Sequence, residues 1–308
     1  MILSVSRRTD IPAFYTEWLF NRLKDEYVLV RNPYNFRQVS KVFLSPEVVD
    51  CIVFWTKDPS KMLDKLNLLG DYKYYFLITL NPYDNRIEKN VPPKGQVINS
   101  FIKLSKSIGA NRTIWRYDPI LLTDEIDLDY HRKRFEEIAS LLEGYTERCV
   151  ISFLDIYQKT QRNASGITAP DDKQTQELAK ILSEIASPRG IKIQTCCEKI
   201  DLSALGIEHG SCIDKNLIEE ITGEKLDIPK DKNQRDNCGC AASIDIGAYD
   251  SCRHGCIYCY ANAGQNAVDI NIKKHNPNSP LLIGDIEPED IIIEKEAKSY
   301  KVNQLSFL

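Results

Sequence analysis

Residues 49–82 run VDCIVFWTKDPSKMLDKLNLLGDYKYYFLITLNP. Val49–Thr56 and Tyr74–Asn81 are dense in β-branched and aromatic residues, as strands are. Between them Ser60–Leu68 returns an apolar residue every three or four positions, as an amphipathic helix does. A strand, a helical crossover and a second strand in that order dictate parallel pairing, because the crossover brings the chain back to the end where the first strand began. Outward from this unit the pattern repeats. Strands are expected near Ile2–Ser6, Tyr27–Arg31, Thr113–Tyr117, Cys149–Asp155 and Ile191–Thr195, and helices near Tyr15–Lys24, Val97–Ile108, Asp129–Leu142 and Lys173–Ile185. The expected fold class is therefore α/β, with a parallel (β/α) barrel, TIM-like and complete or partial, over residues 1–197. From 198 to 308 the periodicity weakens and Gly, Cys, Asp and Asn become frequent, although Lys215–Thr222 still reads as a helix and Asp227–Asn237 as a polar connector. This second part is expected to be a Cys-rich, irregular region packing on the barrel mouth.

Five expected strand ends are polar or carry proline: Ser6–Asp10, Trp55–Pro59, Leu80–Pro82, Arg116–Pro119 and Phe153–Asp155. Taken singly, Asp and Thr at such places are ordinary helix caps. In a parallel barrel, however, the carboxyl ends of the strands share one face, where active sites are built, so the five together point to a common pocket. Arg7, Arg8, Arg112 and Arg116 could bind a phosphate or carboxylate through their forked donors, or pair with Asp10, Asp118 or Asp155. Glu198 is either a supporting hydrogen-bond acceptor for the pocket or an internal polar residue of the barrel.

Composition narrows the function classes. The 308 residues are 43% hydrophobic and 27% charged, as in an ordinary folded protein, and a net charge of −4 provides no broad field for duplex nucleic acid or an anionic membrane. No apolar run approaches the roughly 20 residues of a membrane-spanning helix, and Arg7 and Arg8 interrupt the N-terminus before a signal-like core could form. The protein is expected to be soluble and cytoplasmic, with no membrane partner. In that reducing compartment ten cysteines point to metal or catalysis rather than disulfides. Cys51 and Cys149 sit in apolar strand-like runs and read as small buried hydrophobes. The four histidines are dispersed, which argues against a histidine-based hydrolytic metal site, and GxGxxG, P-loop and GxSxG motifs are missing.

The other cysteines crowd toward the C-terminus. Cys252, Cys256 and Cys259 form C-x3-C-x2-C, with Gly255 permitting a tight backbone. Three thiolates from one loop can hold three irons of a cubane and leave the fourth open, as a catalytic centre needs. Zinc would want a fourth ligand, for which His254 is available but lies inside the loop. Cys196, Cys212, Cys238 and Cys240 could saturate an auxiliary 4Fe-4S cluster or a structural zinc, leaving Cys197 as a neighbour, or stand as reduced thiols that hold no metal.

On the C-x3-C-x2-C spacing, with Tyr258 immediately before the third cysteine, the chain resembles the radical S-adenosylmethionine (SAM) superfamily. The string SCRHGCIYCYAN, with RYDP at Arg116–Pro119, is similar to the branch containing spore photoproduct lyase. Over nearly its whole length the chain resembles DUF1848, an uncharacterised family of bacterial proteins. The resemblance implies a 4Fe-4S cluster on Cys252, Cys256 and Cys259 whose open iron binds SAM, with Tyr258 beside the adenine or simply packing the loop. It implies reductive SAM cleavage, hydrogen abstraction from an unknown substrate (small molecule, peptide or nucleic acid) and an electron donor of flavodoxin or ferredoxin type. Two departures stand out. The cysteine loop lies near the end of the chain rather than after the first strand, and no Gly-Gly-Glu-Pro-like segment is present, Trp55–Pro59 occupying a comparable strand end without matching. The competing expectation is a non-enzymatic iron–sulfur or zinc protein for electron transfer or redox sensing.

Overall fold

The structure is a computed structural model that describes residues 1–155 and 166–302. Its main body is one parallel sheet of eight strands: β1 (Ile2–Val5), β4 (Cys51–Thr56), β5 (Tyr74–Thr79), β6 (Thr113–Ile120), β7 (Arg148–Phe153), β8 (Lys192–Cys196), β9 (Glu208–Gly210) and β10 (Ile244–Asp245), in the order β10-β1-β4-β5-β6-β7-β8-β9. Every pair in it is parallel. The helices α1 (Ile11–Phe14), α2 (Thr16–Lys24), α3 (Lys94–Ile108), α4 (Leu128–Leu142) and α5 (Asp172–Ala186) occupy the crossovers. Asp127 and Asp171 cap α4 and α5 by accepting from the amides of Tyr130 and Gln174.

The parallel α/β expectation therefore holds, but the sheet is open: β9 and β10 are its two edges and do not pair with each other. The alternation of strand side chains gives the physical reason. Leu3, Ile52, Phe54, Phe76, Ile78, Trp115 and Ile151 enter one core with the helices. Their neighbours Ile2, Cys51, Val53, Trp55, Tyr75, Leu77, Ile114 and Val150 enter a second core with Cys212, Ile213, Leu217, Ile218, Leu226, Ile228, Cys238 and Cys240. The sheet is thus apolar on both faces, as parallel sheets are. Its second face is covered by the C-terminal region, including α6 (Lys215–Thr222), and edge strands of three and two residues are too short to extend the ladder.

Tyr27–Arg31 forms β2 as a strand, but outside the large sheet. It pairs antiparallel with β3 (Gln38–Phe43), and β11 (Ile291–Glu294) adds to β3 in parallel. Six residues join β2 to β3, and so short a connection can make a hairpin but not a parallel crossover. Where a helix was expected over Ser60–Leu68, Ser60–Leu69 is a run of 3-10 turns burying only Met62 and Leu69. Helix α7 (Gln265–Ile272) follows the cysteine loop. Cys51 and Cys149 are fully buried, as small hydrophobes would be.

Candidate functional site

At the carboxyl ends of the parallel strands lies a cavity of about 430 Å³. Residues of four of the five polar strand ends line it: Ser6–Asp10, Trp55–Lys57, Arg116 with Asp118 and Pro119, and Phe153–Asp155. From the fifth, Asn81 stands behind it, donating to the Asp118 carbonyl at 2.8 Å. All seven cysteines singled out as metal ligands line the same cavity, three on one loop and four around β8 and its sequel.

The three-cysteine loop is docked at many points. Tyr15 donates its hydroxyl to the Ser251 carbonyl at 2.6 Å, Asn262 donates to the Cys252 carbonyl at 2.8 Å, and Asn90 donates from its amide to His254 and from its side chain to Arg253, both at 2.8 Å. The Ile257 amide donates to the Ile87 carbonyl at 3.0 Å, and a bridge joins Glu88 to Cys256. Gly255 has φ +66°, and a Cβ there would lie 3.2 Å from the Asn90 side chain, so glycine suits both the conformation and the approach. Burial pushes the thiols of Cys252, Cys256 and Cys259 up; neighbouring cysteines add to this at Cys252 and Cys256, while Lys57 pulls Cys256 and Cys259 the other way. His254 is buried and shares a 2.7 Å hydrogen bond between Nε2 and Asp10 Oδ2; its Nδ1 is buried without a partner.

Beneath the loop Glu88 accepts from Lys57 Nζ at 2.7 Å, from Lys94 and from the Tyr258 hydroxyl, which itself accepts from Lys57 at 2.9 Å. Burial opposes the charge on Glu88, yet the two lysines hold its carboxyl down at about 2. Tyr258 is thus committed to this network, its ring 6.2 Å from that of Tyr83. Neither Glu88 nor Lys94 was singled out from sequence. Glu88 lies in a turn-rich stretch and Lys94 opens α3 ahead of its periodic part, so neither carries a pattern or spacing that marks it.

The second set is a chain of touching thiols. Cys196 and Cys212 sulfurs are 3.2 Å apart, Cys212 and Cys238 each hydrogen-bond Cys240, and Cys197 contacts Cys238. Hydrogen bonds from its two neighbours, with Arg7 nearby, favour Cys240 as the thiolate. The Cys196–Cys212 distance is shorter than the roughly 3.8 Å edge of a tetrahedron built on metal–sulfur bonds of about 2.3 Å, so a bound ion would part them slightly. Among the described residues, no three or more His, Cys, Asp or Glu side chains converge on a ready-made metal position. The donor chemistry nevertheless suits a thiophilic centre. Two buried guanidinium nitrogens without partners, Arg7 Nη2 and Arg116 Nε, belong to arginines that feel Cys212 and its neighbours electrostatically, as an anionic thiolate centre would require.

The arginines divide as follows. Arg116 pairs with Asp118, as expected, while Arg7 meets Asp231 at 3.5 Å and Arg8 meets Asp245 at 3.7 Å, partners that only the C-terminal region supplies. Arg112 lies away from the cavity, donating to the Ile108 carbonyl at the start of β6. Glu198 accepts from the Phe153 amide at 2.9 Å, and burial, with Asp155 and Asp118 near, raises its carboxyl to about 7.

A family model described as a domain of unknown function, DUF1848, matches residues 2–261, a span that contains all ten cysteines. The chain belongs to the DUF1848 family. No curated protein matched this DUF1848 chain. Among solved structures it is similar to a "putative alpha-L-fucosidase" from Bacteroides thetaiotaomicron VPI-5482, at 14% identity and TM-score 0.27, over 50% of this chain and 66% of that one, just under two thirds of its length. It is also similar to the EAL domain of Xanthomonas citri FimX in complex with c-diGMP, at 13% identity and TM-score 0.21, over 64% of this chain and 89% of that one. Likenesses this slight say nothing about what the DUF1848 cavity does.

Proposed function

We propose that this DUF1848 protein is a radical SAM-like iron–sulfur enzyme of the cytoplasm, whose open sheet is a partial barrel with its working face at the strand carboxyl ends. The observation that carries the reading is the cavity onto which two separate cysteine sets face, among paired arginines, Lys57 and carboxylates. Cys252, Cys256 and Cys259 would hold a 4Fe-4S cluster with an open position, and Cys196, Cys212, Cys238 and Cys240 a second cluster or a zinc ion. When bound, the first cluster supplies the electron that cleaves SAM reductively, leading to hydrogen abstraction from a substrate. The residues of the chain supply the rest. Tyr15, Asn90 and Asn262 fix the loop backbone, and the C-terminal segment over the second sheet face brings Cys212, Cys238 and Cys240 to the cavity wall. Tyr258, bound by Lys57 and Glu88, would form a rigid wall beside the adenine. The electron donor would be of flavodoxin or ferredoxin type, and the substrate a small molecule, peptide or nucleic acid.

Anaerobic reconstitution with iron and sulfide assays, followed by incubation with SAM and dithionite, tests this. Formation of 5′-deoxyadenosine is expected, and its loss in Cys256→Ala with the fold retained. A full cluster complement without 5′-deoxyadenosine would point to an electron-transfer or redox-sensing protein.

A further inference from the structure

The Glu88 network contains more positive than negative charge. Lys57 and Lys94 share the one carboxylate, whose residue is 2% exposed, and the Lys57 and Lys94 side chains are only 14% and 26% exposed. The neighbouring carboxylates are committed elsewhere: Asp118 to Arg116, and Asp10 to His254 and to the amides of Ala13 and Lys57. A surplus positive charge in so dry a place is costly unless something anionic faces it. What faces it is Cys256, which bridges Glu88 through the backbone and lies within electrostatic reach of both ammonium groups. An oxidised 4Fe-4S core on three thiolates carries one net negative charge, and a second after taking up an electron, so the surplus matches the centre and favours its reduction.

We propose that Lys57 and Lys94, apportioned by Glu88, are the counter-charge that sets the electron affinity of a cluster on Cys252, Cys256 and Cys259, with Lys57 also positioning Tyr258. The inference rests on the cluster assignment made above. Its test is the midpoint potential of the reconstituted protein, read by anaerobic EPR titration of the signal that Cys256→Ala abolishes. Lys57→Met removes a positive charge and is expected to move the potential negative, while Lys57→Arg stays near wild type. Glu88→Gln removes the negative charge and is expected to move the potential the other way. Lys94→Met, at the more exposed lysine, is expected to follow Lys57→Met in sign and serves if that variant does not fold. A residue that only braced the loop would produce cluster loss or shifts of one sign, and that result overturns the inference. If SAM is cleaved but the potentials do not split by sign, this inference falls and the radical-enzyme reading stands. If they split but SAM is not cleaved, the reverse holds. A wild-type protein that takes up no iron at these cysteines removes both.

Discussion

Glu88 takes its charge against the cost of burial, because Lys57 and Lys94 lie within hydrogen-bond reach. Its carboxyl titrates at about 2, below an ordinary value of 4.5, so the folded state holds the ionised form more tightly than the unfolded chain does. That contribution is fully present above about pH 4.5 and is lost as pH falls toward about 2. A shift of this size is on the order of 3 kcal/mol. Urea melts from neutral pH down to pH ~3 are therefore expected to show the wild type losing more stability than Glu88→Gln, the gap between them closing with acid. Parallel pH profiles for the two proteins would contradict the assignment. Glu198 has the opposite sign: with its carboxyl raised to about 7 by burial, its ionisation opposes folding as pH rises from the ordinary 4.5 through 7. Glu198→Gln, which keeps an acceptor for the Phe153 amide, is expected to flatten the loss of stability between about pH 5 and 8, measured by thermal melts.

At the scale of elements, β10 is two residues long, and beyond its backbone pairing with β1 it is anchored by one side chain. Asp245 accepts from the hydroxyls of Ser4 and Ser6 at 2.8 and 2.7 Å, and from the amides of Arg7 and Gly247 at 2.7 and 3.0 Å. This carboxylate ties the C-terminal region to the end of β1, where the cavity begins. Asp245→Ala leaves four donors without their acceptor and is expected to cost about 2–4 kcal/mol, with faster amide exchange at Arg7 and Gly247. Gly247 belongs to the same junction: a Cβ there would lie 2.0 Å from Ser6 Oγ and 2.7 Å from Ser6 Cβ. Gly247→Ala is expected to lower the denaturant midpoint, and adding Ser6→Ala should not restore it, since the Cβ clash survives; full rescue would show the contact to be softer than the geometry implies. The strand–helix alternation was readable at this scale because the central strands are apolar on both faces and the crossover helices keep an apolar stripe. The antiparallel placement of β2 was not: Tyr27–Arg31 has the same composition as a barrel strand, its pairing with Gln38–Phe43 is settled by a short loop, and the sheet is completed on the far side of β3 by Ile291–Glu294, a segment some 250 residues away.

For the whole molecule, the C-terminal region does two jobs: residues around Cys212–Ala241 complete the second core, and Ser251–Asn262 places the three-cysteine loop. Because metal ligation can supply folding energy to an irregular segment, Cys240→Ala is expected to lower the thermal midpoint of the reconstituted protein by several degrees more than Cys256→Ala. Equal effects would assign the two thiol sets equal structural weight. The candidate ligands were legible in the sequence because spacing alone carries them: Cys252, Cys256 and Cys259 are close along the chain, so a single loop can present all three, and the five polar strand ends inherit a common face from parallel pairing. The sequence by itself therefore determined the α/β alternation, the parallel direction of the strands and which thiols are candidate ligands. Only the tertiary structure decided that the sheet stays open, that residues near 212–241 fill its second face, and that Lys57, Glu88, Lys94 and Asp245 support the cavity. Local periodicity reports which face of an element is apolar, but not which distant segment will cover it, and a charge network assembled from separate loops leaves no spacing to read.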